Sequence, residues 1–586
     1  MAVSPDLSPR TRATHLTRLG AERFDLLVVG GGISGAGIAA EAASRGLSVA
    51  LVDRADFASG TSSKSSKLLH GGLRYLEQFH VHLVREALRE RNSLLREAPH
   101  VASELPFLYA VESGRGFRLL EVQVGLSLYD ALSLLGGGQR RWWHRRLDPA
   151  AAGREVPTLE GADLEGALLY VDGLTDDARL VADVVKTAVR SGAVVANYCA
   201  VQGFVKDARG RAVAAVALDT LAGRTVQIHA TRIVNAAGPW VDAVNLLDDP
   251  GCSRRLLPTK GVHVIVPAFT RGKALVLKSL PHADGRRRWL FVIPWGERAV
   301  IGTTDTAYSG KDRDDRYLDE ETEVTPAEVD YLLGSVNATC PGSELRPADV
   351  ISAFGGYRPL LAPAGKAFES DISREHEIFE TPSGVLCVAG GKLTTYRAMA
   401  RHAVDRAVRL LRQDGIRRPA RASRAPVPLG GSEGGMSLAS FTTGQIQNLT
   451  EPDAGWTRRL IATYGTAYAD VRRLAADRED LAREIAGLSP EVARTRAEVV
   501  FAVRHEMAMS VADVMARRTR LQLLDTQLGL DAVEEVADLV SREMASALEW
   551  DEERRKRWAD AELEAYQAQV DRMMAFRSAQ SPARPS

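Results

Sequence analysis

Cysteine is scarce. The 586 residues hold four, Cys199, Cys252, Cys340 and Cys387, and no two are close enough for a CxxC or Cys/His ligand spacing. A disulfide framework and a zinc ribbon are excluded, no metal site is expected, and a reducing compartment follows. Net charge is missing too, because 75 basic residues balance 75 acidic ones. That excludes a generally basic surface and argues against a nucleic-acid partner. No apolar run approaches the ~20 residues of a spanning helix. The leader MAVSPDLSPRTRATHLTRLG lacks the apolar core of a secretory signal. The resulting expectation is a cytoplasmic chain, neither secreted nor integral.

What is present is length enough for two to four cores. Ser4, Pro5, Ser8 and Pro9 make residues 1–22 read as a flexible arm. Next comes FDLLVVGGGISGAGIAAEAASRGLSVALVDRADF, a strand, a glycine turn, a helix of small residues and a second strand. Gly30, Gly32 and Gly35 form G-x-G-x-x-G, and Asp53 follows about twenty residues on, which is the dinucleotide-binding fingerprint. Its glycines let the backbone approach a pyrophosphate, the helix N-terminus offers free N–H groups, and Asp53 accepts from a ribose hydroxyl. The serines of TSSKSSKLLHGGLRYLE add hydroxyl groups just beyond.

Strand-like runs over 193–230 lead into NAAGPW, and β-rich segments GVHVIVPAF and RWLFVIPWGERAVIGTTD predict a second, mainly antiparallel sheet. FGGYRPLL and LCVAGGKLTTYR bring a second double-glycine turn before a long helix. From 417 to 432 the chain is rich in Pro, Arg and Gly and reads as a linker. Beyond it, apolar residues at i, i+3 and i+4 predict an all-helical domain over 433–575, then a disordered tail, 576–586.

Taken in order, GGGISGAGIA, TSSKSSKLLHGGLRYLE, TDDARL, NAAGPW, KGVHVIVP, FVIPWGE, IGTTD, GGYRPLL, GGKLTTYR and ARRTRL make the chain resemble the FAD-dependent, aerobic, quinone-linked glycerol-3-phosphate dehydrogenases. The resemblance runs from Phe24 to Arg518. It implies an α/β, D-amino-acid-oxidase-like FAD-binding fold with an antiparallel β substrate domain and an all-helical C-terminal domain. The flavoenzyme region would be 23–416, with FAD-binding segments near 23–100, 165–250 and 350–416 and substrate segments near 101–164 and 251–349. It also implies FAD as cofactor, glycerol 3-phosphate as substrate, and electrons passed to membrane quinone at the inner face of the cell membrane.

Carried residue by residue, the cofactor contacts fall on Gly30, Gly32, Ile33, Ser34, Gly35, Asp53 and Arg54, and on Thr61, Ser62, Ser63, Ser66, Lys67, Leu69, Gly71 and Gly72. Ala237, Gly238, Trp240, Gly391, Lys392, Leu393 and Thr394 complete them. Removing hydride from an alcohol carbon needs a proton acceptor and a neutralised phosphate. Arg74 and Arg358 suit the phosphate because a guanidinium bonds two oxygens at once, and Lys392 faces the substrate oxygens or the flavin. His70, beside Gly71 and Gly72, and His263, in the substrate domain, are the two candidate bases.

Val262 and Tyr357 depart from the family pattern beside His263 and Arg358. An oxidase passing electrons to oxygen shares most of these motifs and is the rival reading. A nicotinamide-only dehydrogenase leaves NAAGPW and GGKLTTYR without a role, and a non-catalytic scaffold has no need of the three cations. FRLLEVQVGLSLYDALSLLGGGQRRWWHRRL reads equally as an interfacial anchor carrying Trp142 and Trp143 or as a buried helix. The C-terminal helices offer a surface for a homodimer.

Overall fold

The computed structural model describes residues 6–76, 79–114, 118–282, 285–307, 323–361, 376–416, 428–432 and 438–578. Two sheets organise the first four hundred. In the first, the strands run His376–Glu380, Leu386–Gly390, Arg224–Asn235, Arg23–Val29, Val49–Val52 and Val194–Ala196. From Leu386–Gly390 to Val194–Ala196 every neighbour is parallel. Parallel strands are covered on both faces, which is why Leu26, Leu27 and Val28 are all fully buried. Helices Ile33–Ser44, Asp177–Arg190 and Tyr396–Gln413 cover one face.

The second, ten-stranded sheet is antiparallel except where Ala274–Pro281 runs parallel to Ala102–Glu112. Leu164–Thr175 and Ser352–Arg358 both belong to it. Both strands fall largely within the segments expected to bind FAD, since alternation of side chains does not say which sheet a strand joins, and Ala353 to Tyr357 line the same cavity as Gly30 and Asp53.

The N-terminal arm is corrected from Asp6 on, residues 1–5 lying outside the described residues. Pro9–Ala21 is a helix with Pro9 in its first turn, and the Ser8 hydroxyl caps it by accepting from the Thr11 N–H at 3.1 Å. Arg12 anchors it with an ion pair to Asp219 at 2.7 Å, both groups buried. Of the expected linker, 417–427 lies outside the described residues, as does 579–586 of the tail. The tail's start is ordered, with Phe576 only 1% exposed in the Ala575–Ser578 turn. Helices from Leu438 to Met573 form the C-terminal domain and share one apolar core with the rest.

Candidate functional site

Three glycines shape the turn after the first strand. Gly30 has φ of +106°, and a Cβ there would lie 2.6 Å from the Ala236 carbonyl oxygen. At Gly35 an added Cβ would sit 1.8 Å from the Gly30 oxygen. The helix and strand thus approach closer than any side chain allows. The Asp53 carboxylate accepts from the Gly31 N–H at 2.5 Å and the Ala55 N–H at 2.9 Å. Burial pushes this carboxyl up to about 6, against the pull of those two N–H groups.

A cavity of about 580 Å³ opens from this turn. Of the expected contacts it is lined by Gly30, Gly32, Ile33, Ser34, Asp53, Arg54, Thr61, Ser62 and Ser63, and by Ala237, Gly238, Trp240, Gly391, Lys392 and Leu393. The Ser62 hydroxyl accepts from the Ile33 N–H at 2.9 Å, which pins the serine loop to the helix N-terminus. The Arg54 guanidinium lies 4.5 Å above the Trp240 ring.

Other expected contacts do not reach the cavity. Lys67 is fully buried with its ammonium on Asp177 at 3.0 Å, below the Trp295 ring. Burial pulls that ammonium below its usual value, and Asp177 opposes the pull. Ser66 turns to His263 at 2.8 Å, and Leu69 is buried core. Gly35 serves packing. Lys67 and Ser66 are turned inward by partners distant in sequence, whereas Gly35 has no side chain and packs on Gly30, five residues before it.

At the far end two turns meet. The His70 N–H donates to the Thr394 hydroxyl at 3.2 Å. Gly72 has φ of +77°, and a Cβ there would come within 3.5 Å of the Lys392 Nζ. That ammonium lies 3.6 Å above the Tyr75 ring. At Gly71 a Cβ would strike Leu88 and the Tyr129 hydroxyl, so this glycine answers to packing. Arg74 is half-buried on the turn that follows. Arg358 ends the Ser352–Arg358 strand, paired with Asp305 at 2.9 Å and donating to the Thr303 hydroxyl at 2.8 Å.

The two histidines differ sharply. His70 is half-buried, whereas His263 is 3% exposed and stacked on Phe354 at 4.8 Å. Burial holds the His263 ring well below the usual imidazole value, and the Arg358 and Lys67 charges add to the effect.

Residues 25–406 match the family described as FAD dependent oxidoreductase, and 424–555 match the C-terminal domain of alpha-glycerophosphate oxidase. Glycerol-3-phosphate dehydrogenase 2 of Mycobacterium tuberculosis is 37% identical over 545 residues, 91% of this chain and 87% of that one. The aerobic glycerol-3-phosphate dehydrogenase of Bacillus subtilis is 34% identical over 92% of this chain and 94% of its own. The chain belongs to the FAD-dependent glycerol-3-phosphate dehydrogenase family. A solved relative, the glycerol-3-phosphate dehydrogenase of Bacillus halodurans complexed with FAD, matches at 30% identity and a TM-score of 0.75. The match covers 97% of this chain and 98% of that one.

The residues of this family member fit FAD. Gly30 and Gly32 leave room for a pyrophosphate at a helix N-terminus, and the Asp53 carboxylate sits at the end of the second strand. The buried Trp240 Nε1 has no protein partner among the described residues.

Two groups escaped sequence reasoning. Tyr129 donates to Asp172 at 2.7 Å and accepts from the Gly71 N–H at 2.8 Å, with Arg91 completing a buried cluster. Arg517 and Arg520, from the helical domain, line the cavity. The ARRTRL run was visible as a motif; nothing local said that it reaches the cofactor end.

Proposed function

We propose that the protein oxidises sn-glycerol 3-phosphate to dihydroxyacetone phosphate and that the electrons pass on to a membrane quinone. FAD, when bound, supplies the acceptor for the hydride from C2. The observation that carries the reading is likeness, across nearly the whole chain, to relatives named for this substrate. Arg74 and Arg358 neutralise the phosphate, with Asp305 fixing the plane of the Arg358 guanidinium. Lys392 faces the substrate oxygens from the turn it shares with Gly391. His70 accepts the hydroxyl proton, a role that its partial exposure supports better than the burial of His263 behind Phe354.

Anaerobic mixing tests the proposal. Glycerol 3-phosphate should bleach the bound flavin rapidly, and glycerol should do so far more slowly. Equal rates would remove the phosphate from the argument and sink the reading. In air, peroxide released as fast as quinone is reduced would instead make the protein an oxidase.

The acceptor side rests on an apolar face. No helix among the described residues is long and apolar enough to cross a membrane. Yet of the eleven large hydrophobic side chains described as exposed, eight cluster between Phe79 and Trp143. Leu120, Val124 and Leu128 recur every four residues on the outer face of the Arg118–Leu135 helix, and Leu135 is 79% exposed. Arg85, Arg89, Arg140 and Arg141, from the same stretch of chain, are exposed as well. An apolar helix face on a stretch that also exposes cations suits the headgroup layer of an anionic bilayer, where a quinone is reached.

Trp142 is not part of that face. It is 4% exposed under the Arg91 guanidinium, 5.4 Å from its ring, so the reading of Trp142 as an anchor is corrected and Trp143 alone remains. Val124→Ser with Leu128→Ser should lower partitioning onto anionic vesicles about tenfold or more. Dye reduction by glycerol 3-phosphate should persist. Undiminished sedimentation with the vesicles would place the membrane contact elsewhere.

A further inference from the structure

The helical domain ends one of its helices in an uncommon way. Asp513–Arg518 is a turn of π-helix, closed by a bond from the Thr519 N–H to the Val514 carbonyl at 2.9 Å, five residues back. Arg520 follows with φ of +63°, a region that side-chain-bearing residues avoid. Both distortions are costly, and such distortions concentrate where the geometry has a task. Here they direct three arginines at carboxylates of the nucleotide-binding half.

Arg518 grips Asp56 with both ends of its fork, Nη1 to Oδ2 at 2.8 Å and Nη2 to Oδ1 at 2.9 Å. The Arg517 Nε adds a third bond at 2.6 Å. Burial would push the Asp56 carboxyl up, but the two guanidinium groups hold it below its ordinary value. Asp56 lies three residues beyond Asp53, and its neighbour Phe57 packs on the glycine turn. A Cβ on Gly31 would meet the Phe57 ring at 2.4 Å. Where Asp56 is held therefore decides where one wall of the turn stands.

Arg520 secures the other loop. Its guanidinium donates to Asp176 at 2.7 Å and also to Asp177. Asp177 accepts in turn from the Ser65 hydroxyl at 2.7 Å and from Lys67 at 3.0 Å. Lys67 itself has φ of +57°, a strained position that this buried cluster maintains. The loop so held carries Ser62, which caps the Ile33 N–H, and Ser66, which bonds His263.

We propose that Arg517, Arg518 and Arg520 are positioning residues for the cofactor. Through Asp56 and Asp177 the helical domain locks both loops around FAD and sets how fast the flavin leaves. The proposal concerns flavin binding and is independent of which alcohol is oxidised, so it stands or falls apart from the substrate reading.

The test measures flavin release from the holoprotein, by recovery of free-flavin fluorescence on dilution, alongside thermal melting. Arg518→Lys keeps the charge and loses the fork. It should speed release about tenfold or more, the equivalent of one charge-assisted hydrogen bond of ~1.5 kcal/mol. Asp56→Asn with Arg518→Gln removes one buried charge of each sign and leaves Arg517 paired with Asp513, so it folds where a single neutralisation fails, and it should release FAD as fast. Arg504→Gln is the control. It breaks a pair with Glu543 at 2.6 Å inside the helical domain, and it should lower melting without changing release. Unchanged release in both Asp56–Arg518 variants, or equal acceleration by Arg504→Gln, overturns the proposal and leaves the arginines a general stabilising role.

Discussion

Gly35→Ala is expected to purify without its yellow colour. The added Cβ would stand 1.8 Å from the Gly30 carbonyl oxygen, so the strand end and helix start must part by roughly 1.5 Å to reach ordinary contact. Hydrogen bonds from the turn's N–H groups to a pyrophosphate tolerate far less, because they fade within a few tenths of an ångström of ~3 Å. Losing two or three bonds to a charged group lowers FAD affinity on the order of a thousandfold. The ratio of flavin to protein absorbance reads this directly. Gly455→Ala supplies the contrast, since nothing lies within 4 Å of a Cβ there and its helix gains a better helix former. A Gly35→Ala protein as yellow as the parent would mean that the close approach is not what admits the cofactor.

That expectation was legible in the sequence because everything it uses lies within thirty residues. Strand, turn, helix and acid are local, and so is the switch of hydrophobic period between them. Lys67 shows the opposite case. Its partner Asp177 is 110 residues away, and a lysine among serines gives no sign that it points inward. The arginines that line the cavity from the helical domain are more remote still, Arg517 lying 461 positions after Asp56. Composition misled at the N-terminus, where Ser8-Pro9 looked like a loose arm. The same pair is a cap followed by a first-turn proline, a helix start whose stability comes from burying Arg12, Leu16 and Leu19.

The 117–147 stretch was ambiguous for a related reason. Its helix has a buried side and an exposed side, so an apolar run alone could not distinguish anchor from core. Tyr129, on the buried side, bonds the backbone of Gly71, while Val124 and Leu128 face outward from the same helix. The surface proposed to meet a bilayer and the tyrosine that holds the Gly71 turn thus belong to one helix.

Arg74→Met and His70→Asn should fail in different ways. Arg74 follows the left-handed Gly72 on a short turn, and the proposal has it bind the substrate's phosphate. Its loss should remove two charge-assisted hydrogen bonds, lowering kcat/KM for glycerol 3-phosphate by ~10³ with most of the change in KM. Arg74→Lys should recover only part of this, because an ammonium lacks the planar fork. Oxidation of unphosphorylated glycerol, already slow, should change little. His70→Asn keeps a hydrogen-bonding side chain but no titratable ring. It should slow flavin reduction about 100-fold at saturating substrate while leaving substrate binding almost intact. Stopped-flow reduction across a range of substrate concentrations separates the two. If Arg74→Met lowers only the limiting rate, the arginine does not bind the phosphate, and if His70→Asn reduces its flavin at the parent rate, His70 is not the base.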